Sequence, residues 1–210
     1  MRALKFAALG VWTATQAAAF TAPDSLTVVL FNFAEAPRTV LLSAAREGRR
    51  AFRAAGVETT WILCSPTEGC YVPERFVPVK LLSRAIKSTP ISSRGLASTV
   101  SCTGAERCAA SYVFYDRVLA FADDTSSPTD IALGYIMAHE IGHFMGLGHR
   151  PEGIMKADFN SRDLHHAAAG WLRFDEADAR ELRAAAARVR GNGDPSHRIK
   201  LAAWRGDAAE

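Results

Sequence analysis

His139-Glu-Ile-Gly-His-Phe-Met-Gly-Leu-Gly-His149 is the stretch on which the reading of this chain turns. Residues four apart lie one above the other on an α-helix, so His139 and His143 can present their imidazoles to one metal ion from a single face. Glu140 falls about 100° round from His139, near enough to reach a water on that metal without being a ligand itself. Leu133, Met137, Ile141 and Phe144 fall on the other side and suit burial in a core. Gly146 allows the chain to leave the helix in a left-handed conformation, and the turn that follows brings His149 back as a third nitrogen ligand. Three imidazoles leave one corner of a tetrahedral site open, as a catalytic zinc requires and a structural zinc does not. With ordinary residue frequencies, the His-Glu-x-x-His-x-x-Gly-x-x-His pattern arises in roughly one in 10⁵ chains of this size, and its five-residue core in roughly one in a few hundred. The glycine and the third histidine therefore carry most of the information.

Upstream, Ser127, Pro128 and Asp130 mark the start of this helix, with a capping Ser and Pro at the first helical position, and it is expected to run to about residue 145. Before it, residues 25–33 are rich in β-branched and aromatic side chains and read as a buried strand. Residues 37–55 form an amphipathic helix ended by Gly56, and strands follow at 58–64 and 76–82. The Ser-, Thr- and Gly-rich stretch 83–109 holds a short edge strand at 96–101, and 110–118 reads as a further strand. Downstream come a loop, a short segment at 161–169, a helix at 176–190 capped by Asp175, and a loosely ordered tail, 191–210. The order predicts an α+β fold with one catalytic domain over 20–190. Its N-terminal subdomain runs to about 146, and a small C-terminal subdomain, 147–190, ends in a helix.

Half the 210 residues are apolar, enough for one sizeable core. Residues 1–19 have the form of a secretory signal: Arg2 and Lys5, an apolar stretch, and Ala17-Ala18-Ala19 as a small-residue cleavage site. Removing Arg2 and Lys5 from the formal charge of +3 leaves +1. Nothing electrostatic then calls for nucleic acid or an anionic membrane surface. Thr13, Thr15 and Gln16 break the apolar run well short of the ~20 residues that span a bilayer, so no stable membrane insertion is expected. The mature chain is expected as a monomer, secreted or periplasmic. Four cysteines suit such an oxidising compartment. Three connectivities are open, and Cys64–Cys70 with Cys102–Cys108 is favoured because each pair brackets loop-like sequence.

The chain resembles the metzincins, the zinc peptidase clan that includes matrixins, astacins and reprolysins, whose motif aligns without a gap on His139, Glu140, His143, Gly146 and His149. The span from Ser25 onward also resembles small bacterial exported proteins with a Gly-Ile-Met-Lys/Arg-Ala segment, here Gly153 to Ala157. The metzincin resemblance implies that Met155 is the methionine of the turn beneath the zinc. It also implies a twisted, mostly parallel sheet of four or five strands whose one antiparallel edge strand binds extended substrate. Arg150, the short link from His149 to Met155, and Ala157 in place of the tyrosine found in astacin-like members assign the chain to no named subfamily.

The function expected is hydrolysis of peptide bonds in a peptide or protein substrate, with one catalytic Zn2+ and with Glu140 as general base. The alternative is a zinc-containing module that binds peptide without cleaving it. Retention of Glu140 favours the enzyme, because a pure binding site needs no base. His165 and His166 are expected at the surface, and Asp123 and Asp124 in a solvated turn rather than a calcium site. Tyr112, Tyr115 and Tyr135 are expected to pack rather than to stabilise an oxyanion, and Trp61 and Trp171 to sit in the core. The basic, apolar segment 197–205 suits docking on a partner, and a frayed terminus explains it as well.

Overall fold

The computed structural model describes residues 24–65, 67, 69–85, 95–100, 110–190 and 198–201. The expected signal segment and the Cys102–Cys108 pair lie outside the described residues. In chain order the elements are β1 (Asp24–Asn32), α1 (Arg38–Ala54), β2 (Val57–Cys64), β3 (Cys70–Pro73), β4 (Val77–Leu82), β5 (Ala97–Val100), β6 (Ala110–Phe114), α2 (Tyr115–Asp124), α3 (Thr129–Phe144), α4 (Ser161–Ala168), α5 (Glu176–Arg190) and β7 (Arg198–Leu201).

Leu26, Val28, Val29 and Leu30 are all buried, which makes β1 a strand covered on both faces. Leu26, Val28 and Leu30 join the main core, whereas Val29 packs with Cys64 and Val72 in a small cluster of its own. Strand order in the five-stranded sheet is β2-β1-β4-β6-β5. The first four run parallel, and β5 pairs antiparallel to β6 at the edge. The fold is therefore α+β with a mostly parallel mixed sheet, and its antiparallel edge falls where the sequence predicts a short strand.

α1 buries Leu41, Ala44, Ala45, Ala51 and Phe52, the stripe its periodicity predicts. It packs against α3, and the approach is close: a Cβ on Gly134 would stand 2.6 Å from Glu47 Cβ and 2.7 Å from the Ala44 carbonyl oxygen. α3 is buried from Ala132 to Gly142 without a break, so its residues meet core on every side. α5 buries Leu182, Ala185 and Ala186 and donates from the Arg183 guanidinium to the Ala55 carbonyl at 2.7 Å, which seats it against the end of α1.

Three local expectations are corrected. The strand predicted over 110–118 stops at Phe114, because Val118 and Ala122, four apart, bury the inner face of α2 instead. Pro128, not Ser127, caps α3, and the Ser127 hydroxyl turns to the Thr125 carbonyl at 3.3 Å. Within the expected loose tail, Arg198–Leu201 forms β7, antiparallel to β3, a strand inside the stretch that reads as the first cysteine loop. Cys64 and Cys70 form a disulfide, with Cα atoms 5.4 Å apart, that closes this loop next to the Val29 cluster.

Candidate metal centre

His139 and His143 lie on the last two turns of α3, with rings edge to face and centroids 4.6 Å apart. His143 Nε2 stands 3.0 Å from His139 Nε2 and 3.1 Å from His149 Nε2. The backbone fixes what these close approaches mean. His139 Nδ1 donates to the Ile154 carbonyl at 2.7 Å, and His143 Nδ1 donates to the Leu147 carbonyl at 2.8 Å. A carbonyl only accepts, and a neutral imidazole carries one N–H, so the Nε2 atoms of both rings are bare lone pairs facing each other. Burial lowers the His139 pKa to about 4 and also lowers that of His143, against the raising effect of those carbonyls, so both rings are neutral near pH 7. Two lone pairs at hydrogen-bond distance with no proton between them repel unless a cation lies among them. The three ligand atoms all fall within 4.8 Å of one another, and the cluster has the chemistry and spacing to hold a metal ion.

The link from α3 to the third imidazole is built on glycines. Gly146 leaves the helix at φ +100° with open space where a Cβ would stand, so its need is conformational. Leu147 donates from its backbone to the Gly142 carbonyl at 3.0 Å and is buried, which pins the turn. His149, beyond Gly148, is exposed. The chain then returns beneath the site: Arg150 N–H donates to the Met155 carbonyl at 2.9 Å, and Ile154 N–H to the Arg173 carbonyl at 3.0 Å. Met155 is fully buried, and its Sδ stands 2.5 Å from where a Cβ on Gly142 would be. Glycine at 142 is thus what lets the methionine lie against the helix between His139 and His143.

Glu140 is buried beside this cluster, 6 % exposed, and burial raises its pKa to about 7 against the lowering effect of the Thr99 hydroxyl. That hydroxyl, from edge strand β5, donates to Glu140 Oε2 at 2.6 Å. Ser111 on β6 donates to the Glu140 carbonyl at 3.2 Å. A cleft of about 660 Å³ opens over His139, Glu140, His143 and His149 and is walled on one side by β5 and on the other by Phe159. A carboxyl that titrates near neutrality at the mouth of such a cleft is suited to take and release a proton.

Other residues take quieter places. Tyr135 is buried and donates to the Ala167 carbonyl at 3.3 Å, on the packing side of α3. Asp123 and Asp124 are exposed at the end of α2, and His165 and His166 are exposed on α4. Trp61 lies partly buried over Gly48, but Trp171 is 71 % exposed, contrary to the expectation of a core role, and its ring centroid stands 5.9 Å from that of His166. Thr99, Ser111, Gly142 and Phe159 are not legible as site residues in the sequence, because none lies in the motif at a ligand or base position. No protein-family model matches the chain, and no curated protein is found to be similar to it.

Proposed function

We propose that the protein is a zinc-dependent endopeptidase of metzincin type, exported from the cell, in which His139, His143 and His149 hold the metal and Glu140 is the general base. The observation that carries this reading is the pair of bare Nε2 atoms, each oriented by a backbone carbonyl behind it, converging with a third imidazole beside a buried carboxyl. Separations of 3.0 and 3.1 Å are close to the about 3.3 Å kept by two nitrogens bound at 2.0–2.1 Å to a tetrahedral zinc. The ligand set holds nitrogen only, with one corner left over. Zinc bound there supplies Lewis acidity, making water acidic enough to attack a carbonyl near pH 7. Glu140 takes the proton from the attacking water and passes it to the departing amine. Thr99 holds Oε2 of that carboxyl, leaving the other oxygen for proton transfer. Among the described residues no strand pairs with the outer edge of β5, so its backbone is suited to receive an extended peptide alongside the cleft. The Cys64–Cys70 disulfide suits an exported protein.

The test is metal analysis of the purified protein together with digestion of a mixed peptide library. One equivalent of zinc, lost in His139→Ala, and cleavage that is lost in Glu140→Ala support the peptidase. Zinc without cleavage in the wild type points to a peptide-binding module, and a folded protein that takes up no metal removes both readings.

A further inference from the structure

The three histidines are not held alike. His139 and His143 each have a carbonyl behind Nδ1, but among the described residues no carbonyl meets Nδ1 of His149. His149 is also the one exposed ring of the three, and it follows Gly146 and Gly148, neither of which has any neighbour within 4 Å of an added Cβ. On its N-terminal side the backbone is held at buried Leu147, and Gly148 stands between that anchor and the ring. On its C-terminal side stands Arg150, whose backbone N–H is tied to Met155 and whose side chain leaves the loop for α5. Its Nε donates to Asp178 Oδ1 at 2.9 Å, a terminal nitrogen donates to Glu181 Oε1 at 3.3 Å, and Asp175 Oδ2 lies 3.8 Å away. The Asp178 side chain is 1 % exposed, and α5 itself is seated on the core through Leu182 and Ala186.

An ion pair with a buried partner is a poor source of stability, since two apolar side chains of like volume commonly serve as well or better. What the guanidinium supplies here is direction, a planar group hydrogen-bonded to two carboxylates of α5, Asp178 and Glu181, with Asp175 just ahead of that helix. Resting on the reading that the three histidines bind a metal, we infer that Arg150 is the positioning residue for His149: it steadies the one imidazole of the three with no carbonyl behind Nδ1 among the described residues, by clamping the next residue to α5. The clamp sets metal affinity and coordination geometry without touching the metal.

Co2+ is the probe, because its visible absorption reports coordination geometry and its titration gives an affinity without any substrate. Arg150→Leu alone strands Asp178, whose Oδ2 is already buried without a partner among the described residues, so it is paired with a double variant, Arg150→Leu with Asp178→Leu, which removes both charges and restores apolar volume. The inference expects the double variant to fold with a Tm near that of the wild type yet to bind Co2+ about 10- to 100-fold more weakly, the usual cost of losing an outer-shell support, with altered visible bands. Arg150→Lys, which keeps the charge and loses the planar fork, is expected between the two. Wild-type affinity and spectrum in the double variant, or in Arg150→Leu where it folds, would overturn the inference while leaving the metal site standing. A wild type that binds no Co2+, or binds it equally well as His139→Ala, would remove the metal reading itself and the clamp with it.

Discussion

Glu140 and His139 are neighbours in the chain, and burial holds both in their uncharged forms, the carboxyl titrating at about 7 and the imidazole at about 4. In the metal-free protein these shifts bear on stability with opposite sign. A carboxyl whose pKa is raised on folding contributes stability below its ordinary value of 4.5 and loses it as pH climbs to about 7. An imidazole whose pKa is lowered contributes above its ordinary 6.5 and loses it as pH falls to about 4. Each slope approaches 1.4 kcal/mol per pH unit, so between about pH 4.5 and 6.5 the two nearly cancel. Glu140→Gln leaves only the histidine side. Urea melts of the two metal-free proteins should show the wild type losing about 3 kcal/mol relative to the variant as pH rises from 4.5 to 7, and parallel pH curves would mean that Glu140 is not held neutral. With metal bound, the same substitution is expected to leave zinc content unchanged and to lower kcat by about 10²- to 10⁴-fold, the usual share of a general base. A variant that turns over peptide at the wild-type rate would assign the proton transfer to another group.

Gly142 near the end of α3 and Gly146 in the turn beyond it serve different physical needs, and their substitutions should separate. Alanine at 142 places a Cβ 2.5 Å from Met155 Sδ and should cost about 1–3 kcal/mol by overpacking, a loss that Met155→Ala relieves. Alanine at 146 meets no neighbour, so its cost of about 1–2 kcal/mol is backbone strain at φ +100° and should be unchanged by Met155→Ala. Thermal unfolding of the two single and two double variants checks both, and equal relief in the two pairs would refute the distinction. α1 and α5 are legible in the sequence because each buried stripe is written in local spacing, and β1 and α3 because each is an unbroken apolar run, that of α3 opened by the Ser127-Pro128 start signal. The shared face of His139 and His143, with Glu140 about 100° round, follows from the helical period of α3. Strands β3 and β7 are not legible, because each has only four residues and what makes them strands is a partner on the far side of the chain. α2 was hidden for a different reason: the aromatic run of β6 continues through Tyr115, and only the Asp116-Arg117 pair signals that the strand has ended. The Thr99 and Arg150 contacts were invisible for the first reason, since helices distant in sequence, α3 and α5, supply their partners.

At the scale of the molecule, the sheet separates two regions with different supports. The main core lies between the sheet and α1, α3 and α5, whereas the small cluster of Val29, Cys64 and Val72 on the other face is closed by the disulfide. Replacing Cys64 and Cys70 by alanine opens a loop of sequence separation 6 and should cost about 2 kcal/mol. Chemical denaturation under non-reducing conditions measures it, and because the histidine cluster lies on the other side of β1, Co2+ affinity at 25 °C should be unaltered. Reduced affinity would show that the two faces are coupled. The hydrogen bond from His139 to Ile154 has a wider consequence. It joins the helix that carries His139 and His143 to the loop that carries His149, and that loop is bonded in turn to Arg173, just ahead of α5. An ion seated among the imidazoles would therefore fasten the final third of the chain to the rest like a buckle. Chelation should then quicken amide deuterium uptake along residues 149–190 far more than along β1 or α1.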